Sequence, residues 1–259
     1  MESDDGGDII RNEHLVRYQM AAKFVNNKKV LDIACGSGYG TRILAQAGGS
    51  EVVGMDRDPE AIRRNMALPY SSLDNSGSNK ENKAVPCSYK VGSATDIPAR
   101  DKEFDLAVSF ETIEHLAAID QDKFVSELAR VVSDEGLVFI STPNREVFGN
   151  KNPYHINELN QKDFESILKK HFPFVKILEQ GNGVVSFIKS KEDKEIRSAE
   201  ITSVSAPLYF VAVCSKKEDN NIYEGVGSVS VKALERLKNN PVMKLSDKIY
   251  PLIKFFFKK

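Results

Sequence analysis

One segment constrains this chain more than any other: Val30-Leu-Asp-Ile-Ala-Cys-Gly-Ser-Gly-Tyr-Gly40. A short apolar run, Val30–Ala34, carries a single acid, Asp32. It then breaks into glycines at alternate positions, Gly36, Gly38 and Gly40, and a helix-forming stretch, Thr41–Ala47, follows. A short apolar run bounded by glycine reads as a buried strand, and the glycines as a tight turn leading into a helix N-terminus. Strand, turn and helix in this order let a backbone approach a nucleotide-like ligand closely.

The spacing narrows the ligand. A dinucleotide turn reads G-x-G-x-x-G and aims helix N–H groups at a pyrophosphate; here the spacing is G-x-G-x-G. A carboxylate at Asp32 repels a pyrophosphate but suits a ligand with a cationic amine. S-adenosylmethionine carries an ammonium and a sulfonium, and no phosphate. A second strand, Glu51-Val-Val-Gly-Met55, runs into Asp56, where an acid can accept both hydroxyls of a ribose. The competing reading is a ligand-free α/β turn with two ordinary surface aspartates.

With these residues in view, the chain resembles the class I S-adenosylmethionine-dependent methyltransferases. The resemblance runs from about Val30 to Gly181 and is strongest at Val30–Gly40, Gly92–Pro98 and Phe104–Leu116. Three phrases make it most similar to methyltransferases associated with cell-surface glycan and glycosyltransferase systems, and somewhat less to quinone-type O-methyltransferases. They are Ser109-Phe-Glu-Thr-Ile-Glu-His-Leu116, Ser141-Thr-Pro-Asn-Arg-Glu146 and Asn152-Pro-Tyr-His-Ile-Asn-Glu158. The resemblance implies an α/β, Rossmann-like seven-stranded sheet with helices on both faces and the last strand antiparallel. It also implies S-adenosylmethionine as cofactor and S-adenosylhomocysteine as product.

Composition sets the outer limits. A chain of 259 residues fits one sizeable α/β domain with additions. With net charge −1 and 28% charged residues, it has no broad basic field for nucleic acid. Cys35, Cys87 and Cys214 are isolated, which argues for a reducing compartment and against a disulfide framework or a zinc site; no metal is expected. Met1–Asp8 is acidic and polar, unlike a signal peptide, and no apolar run approaches the roughly 20 residues that span a bilayer. The expected location is the cytoplasm, and the oligomeric state is left open.

Apolar periodicity and turn residues divide the chain into elements. Residues 1–29 are expected to be a disordered start (1–10) and a cap helix over Glu13–Val25, residues 30–216 the methyltransferase domain, and 217–259 an extension. Strands are expected at Val30–Ala34, Val52–Met55, Ser88–Val91, Phe104–Phe110, Leu137–Thr142, Phe174–Glu179 and Leu208–Cys214. Helices are expected at Gly40–Ala47, Pro59–Met66, Asp120–Val132 and Gln161–His171. Ser71–Lys83 reads as a loop insertion. Lys189–Ala206 reads as a second insertion, either a short helix or a cover for the site. The tail Met243–Lys259, with five lysines among Ile, Tyr, Leu and Phe, suits either a peripheral membrane anchor at the inner surface or packing on the domain.

The resemblance also assigns roles. Asp32, Ala34, Cys35, Gly36 and Gly38 surround the methionine end of the cofactor, and Asp56 its ribose. Ser93, Ala94 and Asp96 face the adenine. Related enzymes often carry an acid where this chain has Ser93, and Asp96 can substitute if the loop turns back. Arg57 either covers the adenine or is solvated. Phe110 lies either beside the methyl donor or in the core. Arg17 either binds the cofactor carboxylate or makes a surface ion pair. Methyl transfer is an in-line displacement in which the protein aligns the acceptor and excludes water, and an oxygen acceptor gains from a base. Glu111, His115 and His155 are the candidates, since they follow strands four and five, where such sheets open their sites. Asn152-Pro-Tyr154 is similar to the Asn-Pro-Pro-Tyr of amino-group methyltransferases, but it lies after the wrong strand and lacks the second proline. The expected acceptor is therefore a hydroxyl of a sugar, glycan intermediate or other small molecule. A quinone-like acceptor, a non-catalytic partner of a glycosyltransferase and, more distantly, a dehydrogenase are the alternatives.

Overall fold

The β-branched and aliphatic run at Lys29–Ile33 forms the central strand β1, and every strand expected from the sequence takes its place around it. In the computed structural model, which describes residues 5–67, 87–149, 151–188, 198–204 and 206–218, seven strands form one sheet. They are β1, β2 (Glu51–Asp56), β3 (Cys87–Val91), β4 (Phe104–Ser109), β5 (Val132–Pro143), β6 (Phe174–Gln180) and β9 (Tyr209–Ser215), in the order β3-β2-β1-β4-β5-β9-β6. β1 to β5 pair in parallel, and β9 runs antiparallel between β5 and β6. The order reverses between β1 and β4, so the carboxyl ends of these strands flank the crevice where ligands enter sheets of this kind.

Helices α2 (Tyr39–Gln46), α3 (Pro59–Ala67), α4 (Ala118–Val131) and α6 (Gln161–Lys169) connect the strands. Phe124, Val125, Leu128 and Val131 of α4, with Phe164 and Leu168 of α6, bury their apolar stripes against Ala107, Val138, Ile140 and Ala212 of the sheet. A short helix α5 (Arg145–Phe148) follows β5, capped by the Asn144 side chain on the Glu146 amide.

Three expectations are corrected. The first helix, α1 (Asp5–Ala21), begins well before Glu13, so residues 5–10 are helical rather than disordered. β5 starts at Val132 rather than Leu137, because its first residue pairs with Phe104 before a register shift. The insertion at 189–206 contains a strand where a short helix was one expectation. β8 (Ser198–Val204) pairs antiparallel with β7 (Gly183–Ile188) in a separate two-stranded sheet, and Ile201, Thr202 and Val204 supply its β-branched residues. The 71–83 loop and the 243–259 tail lie outside the described residues.

Candidate active site

The glycine turn is held from three sides. Gly36 and Gly38 take positive φ (51° and 70°), as their place in the turn requires. The Gly36 amide donates to Asp56 Oδ2 at 2.8 Å. Asn65 of α3 donates to the Gly36 carbonyl at 2.8 Å, and the Tyr89 hydroxyl of β3 to the Gly38 carbonyl at 3.0 Å. Arg42 of α2 donates to both Ser37 O and Tyr89 Oη. Cys35 is buried beneath the turn; its amide donates to Met55 O, and burial pushes its thiol well up, so it stays protonated.

Asp32 lies fully buried at the base of this turn. Its two oxygens accept from Thr41 Oγ1 (2.7 Å) and Tyr18 Oη (3.0 Å). Burial raises its pKa to about 6, against the pull of those two hydroxyls, and the Asp56 charge adds to the rise. Gly40 makes the Tyr18 contact possible, since a Cβ there would stand 2.0 Å from the Tyr18 ring. Tyr18 also meets Phe110 edge-on at 5.0 Å, so Phe110 is buried beneath α1 rather than open to solvent.

Along the β2–β3 edge, Arg57 is exposed beside Asp56, and the Gly92 amide donates to Asp56 O. The loop does turn back as its sequence allowed: the Asp96 amide donates to Ser93 O, and Ser93 Oγ lies 3.0 Å from Thr95 Oγ1. Ala94 packs on the core, and Asp96 is exposed.

The rim beyond β4 is built differently. Ala34 and Glu111, immediately beyond β1 and two residues beyond β4, both take positive φ (63° and 53°), a strained choice for a residue with a side chain. Glu111 Oε1 receives Arg17 Nη1 at 3.1 Å and Ser141 Oγ at 2.7 Å. Arg17 is buried rather than at the surface, its guanidinium 4.5 Å from the centre of the Tyr209 ring; its Nε and Nη2 have no hydrogen-bond partner. Burial raises the Glu111 pKa, and Arg17 opposes the rise. The buried Glu13 accepts from Tyr209 Oη and Asn182 Nδ2, each at 2.7 Å, which fastens α1 over the ends of β9 and β6. His14 is pushed down to about 4 by burial and the Arg17 charge, so it is neutral at pH 7.

His115 and His155 come together, as their places after β4 and β5 suggested. Their rings meet edge-on with centroids 5.0 Å apart. His115 Nδ1 lies 2.8 Å from the Tyr154 carbonyl, and His155 Nδ1 2.5 Å from Glu158 Oε1. The buried Glu114 lies beside this pair, close enough to feel the Glu111 charge. Thr41, Arg42, Asn65 and Tyr89 also build the site, though the sequence singled out none of them for it. Each lies at an ordinary helix or strand position, and for Thr41, Asn65 and Tyr89 the only signal was a glycine they pack against, Gly38 or Gly54. Asn144 caps α5 and donates to Pro207 O.

Residues 31–140 match the family profile described as a methyltransferase domain. Over 161 residues the chain is 33% identical to the "Probable S-adenosylmethionine-dependent methyltransferase" of Mycolicibacterium smegmatis, covering 60% of this chain and 56% of that one. It is 38% identical over 116 residues to the chloroplastic tocopherol O-methyltransferase of Arabidopsis thaliana, covering 44% of this chain and 30% of that one. The chain thus spans only about half the length of the first of these relatives and less of the second. A crystal structure of a Pyrococcus horikoshii protein superposes with a TM-score of 0.54 at 18% identity, over 83% of this chain and 93% of that one, a likeness of fold. This stretch is thus similar to methyltransferase domains, and the cofactor named for the Mycolicibacterium relative is S-adenosylmethionine. The donor set fits that group. Two acids, Asp32 and Asp56, stand beside the glycine turn, and Arg17 has buried Nε and Nη2 groups with no hydrogen-bond partner. No helix among the described residues is long and apolar enough to cross a membrane.

Proposed function

We propose that this protein transfers a methyl group from S-adenosylmethionine to a hydroxyl of a small molecule, with a sugar or glycan intermediate as the leading acceptor class. The single observation that carries the reading is the division of labour at the strand ends. A glycine turn clamped between Asp32 and Asp56 faces the cofactor side, and a separate histidine and carboxylate rim follows β4 and β5. When bound, the cofactor supplies an activated methyl and a neutral thioether leaving group. Asp56 would accept the ribose hydroxyls, and the Asp32 charge would favour the ammonium. The free Nε and Nη2 of Arg17 would meet the carboxylate. Ser93 and the Ala94 amide would face the adenine; Asp96 and Arg57, both exposed, would line its outer edge. Ala34, Cys35, Gly36 and Gly38 would contribute backbone, and Phe110 would wall the methyl end. The rim at Glu111, His115 and His155 would orient the acceptor and handle its proton.

Quinone and tocopherol O-methyltransferases among the relatives keep an aromatic hydroxyl as a second reading. Calorimetric titration with S-adenosylhomocysteine and with NAD tests the cofactor; binding of NAD alone would overturn the reading. Transfer of methyl label into a cell extract, counted separately in lipid, aqueous and glycan fractions, tests the acceptor. Label confined to an aromatic lipid would favour the second reading, and none in any fraction a non-catalytic binding partner.

A further inference from the structure

The rim holds more negative charge and more lone pairs than its own donors serve. Glu114 is fully buried, and neither carboxylate oxygen has a partner of hydrogen-bond geometry. A carboxylate left this way costs several kcal/mol in a protein interior unless a cation or a proton meets it. The neighbouring cation Arg17 is already paired with Glu111.

The two histidines beside it are fixed in one tautomer. A carbonyl can only accept, so His115 Nδ1 is the N–H that donates to Tyr154 O, and Nε2 keeps the lone pair. His155 Nδ1 faces the Glu158 carboxylate, and its Nε2 lies 2.9 Å from the Asn152 amide nitrogen, a donor, so Nε2 again carries the lone pair. A ring nitrogen of each histidine and a carboxylate oxygen of Glu114 all lie within 4.8 Å of one another. A histidine that ligates a metal gives its other ring N–H to a carboxylate or a backbone carbonyl, and both arrangements occur here.

The support is rigid. The Ile156 and Asn157 amides both donate to the Glu114 carbonyl, at 2.8 and 3.0 Å. Gln121 bridges Ile113 O and Asn157 O, and the Asn157 amide returns a bond to Gln121 Oε1. Two loops that follow different strands are thereby held in one register.

We infer that Glu114, His115 and His155 form a binding site for a first-row divalent transition metal, with Zn2+ as the reference ion. Two imidazoles and one carboxylate suit zinc and its neighbours, whereas Mg2+ and Ca2+ prefer all-oxygen sets. Ligand bonds of about 2.0–2.1 Å in a tetrahedron place the ligand atoms roughly 3.3 Å apart, so the cluster contracts on binding and His155 leaves Asn152. The sequence expectation of no zinc site and no metal rested on the isolated cysteines, which do not bear on this donor set. Three protein ligands leave one position of a tetrahedron open. Use of that position to bind the acceptor hydroxyl and lower its pKa rests on the function proposed above; the site itself does not.

The test uses the full chain without a histidine tag, stripped by chelator. Calorimetry with Zn2+ is expected to give one equivalent at micromolar Kd or tighter, and Mg2+ at least a hundredfold weaker. Co2+ is expected to give visible d–d bands of a low-coordinate site. His155→Ala and Glu114→Gln should each weaken Zn2+ at least tenfold. Glu114→Gln should also raise the melting temperature of the metal-free protein, since it removes the uncompensated charge. Absence of stoichiometric Zn2+ binding, or binding untouched by both variants, overturns the site. S-adenosylhomocysteine affinity measured on the same samples separates the two claims. If it binds and Zn2+ does not, the metal site fails while the methyltransferase reading stands. If Zn2+ binds in the absence of any cofactor binding, the metal site stands and that reading fails.

Discussion

The two halves of the site treat buried polar groups in opposite ways. In the glycine half, Asp32 has a hydroxyl on each oxygen, Asp56 accepts the Gly36 and Asp58 amides, and the turn carbonyls of Gly36, Ser37 and Gly38 each receive a side chain. In the rim, Arg17 keeps two unpartnered nitrogens and Glu114 two unpartnered oxygens, four of the six orphaned side-chain atoms found among the described residues. Buried polar groups are nearly always satisfied, so orphans concentrated on one side mark where partners from outside are received. The glycine half is a socket that has one such orphan among the described residues, Arg42 Nε, and otherwise offers a ligand a preset surface. The rim is completed by what binds to it.

The largest expected effects would break this comparison outright. Asp56→Ala removes both the ribose acceptor and the anchor of the Gly36 amide. Loss of charged hydrogen bonds worth about 1.5–3 kcal/mol each predicts a fall in S-adenosylhomocysteine affinity of roughly a hundredfold. His115→Ala should leave that affinity within about twofold while slowing methyl transfer by on the order of a hundredfold, the usual scale of a lost proton-handling group. Parallel calorimetry and label transfer on the two variants decide it; equal losses of cofactor affinity would erase the distinction between socket and rim.

Gly40→Ala tests how tightly the socket is built. Its Cβ would collide with the Tyr18 ring and lift that hydroxyl from Asp32. Overpacking of this kind costs about 1–3 kcal/mol, and a thermal melt is expected to fall by several degrees. An unchanged melt would mean that α1 is not seated on the socket.

The pH dependence sharpens the role of Asp32. Its folded pKa is near 6, above the ordinary 3.8, because burial favours the neutral acid. The folded state therefore holds a proton that the unfolded chain releases earlier. The ionised carboxylate lowers stability as pH climbs through the interval between those values, by about 3 kcal/mol in all at roughly 1.4 kcal/mol per unit. A cationic ligand group prefers the ionised form, so binding below pH 6 must first expel that proton. Affinity for S-adenosylhomocysteine is expected to rise between pH 5 and 7, by at most about tenfold per unit, and to level above that range. Asp32→Asn should flatten the profile. A slope that persists in this variant would transfer the effect to another group, Glu111 being the nearest candidate by charge.

The same contrast explains what could be read from the sequence. The socket was legible because its signal is local: Asp32, Gly36, Gly38 and Asp56 announce themselves by residue type at fixed spacing, and the strand order follows from βα alternation. The residues that clamp it, Arg42, Asn65 and Tyr89, were silent, since a polar side chain on a helix or strand looks the same whether it meets solvent or a carbonyl far away in sequence. Arg17 was read as a surface pair or a carboxylate ligand, and its burial against Tyr209 depends on a strand almost two hundred residues later. Glu114 was passed over beside His115 because nothing in a sequence marks a carboxylate as unpartnered. The β7–β8 hairpin was missed because Lys189–Ala206 is charged at its start, which masks the β-branched residues of its second half.

The smallest expected effect concerns the two strained residues that face each other across the reversal of strand order. Ala34 and Glu111 both hold positive φ, which costs a residue with a Cβ about 1–2 kcal/mol, while glycine gives back about 0.4–1 kcal/mol through the freedom of the unfolded chain. Ala34→Gly should therefore be as stable as the parent or slightly more so, within about 1 kcal/mol. At Glu111 the side chain is engaged, so the comparison must be made between Glu111→Ala and Glu111→Gly. Both lose the bonds to Arg17 and Ser141, and only the backbone distinguishes them. The glycine variant should melt higher than the alanine variant by one or two degrees, the equivalent of about half a kcal/mol in a domain of this size. If glycine gains stability at both positions, the strain is a property of the crevice, imposed on socket and rim alike by the way the strands end. If it gains only at Glu111, Ala34 is held by the packing of its methyl group, and the socket is set by side-chain contact even where its backbone looks strained.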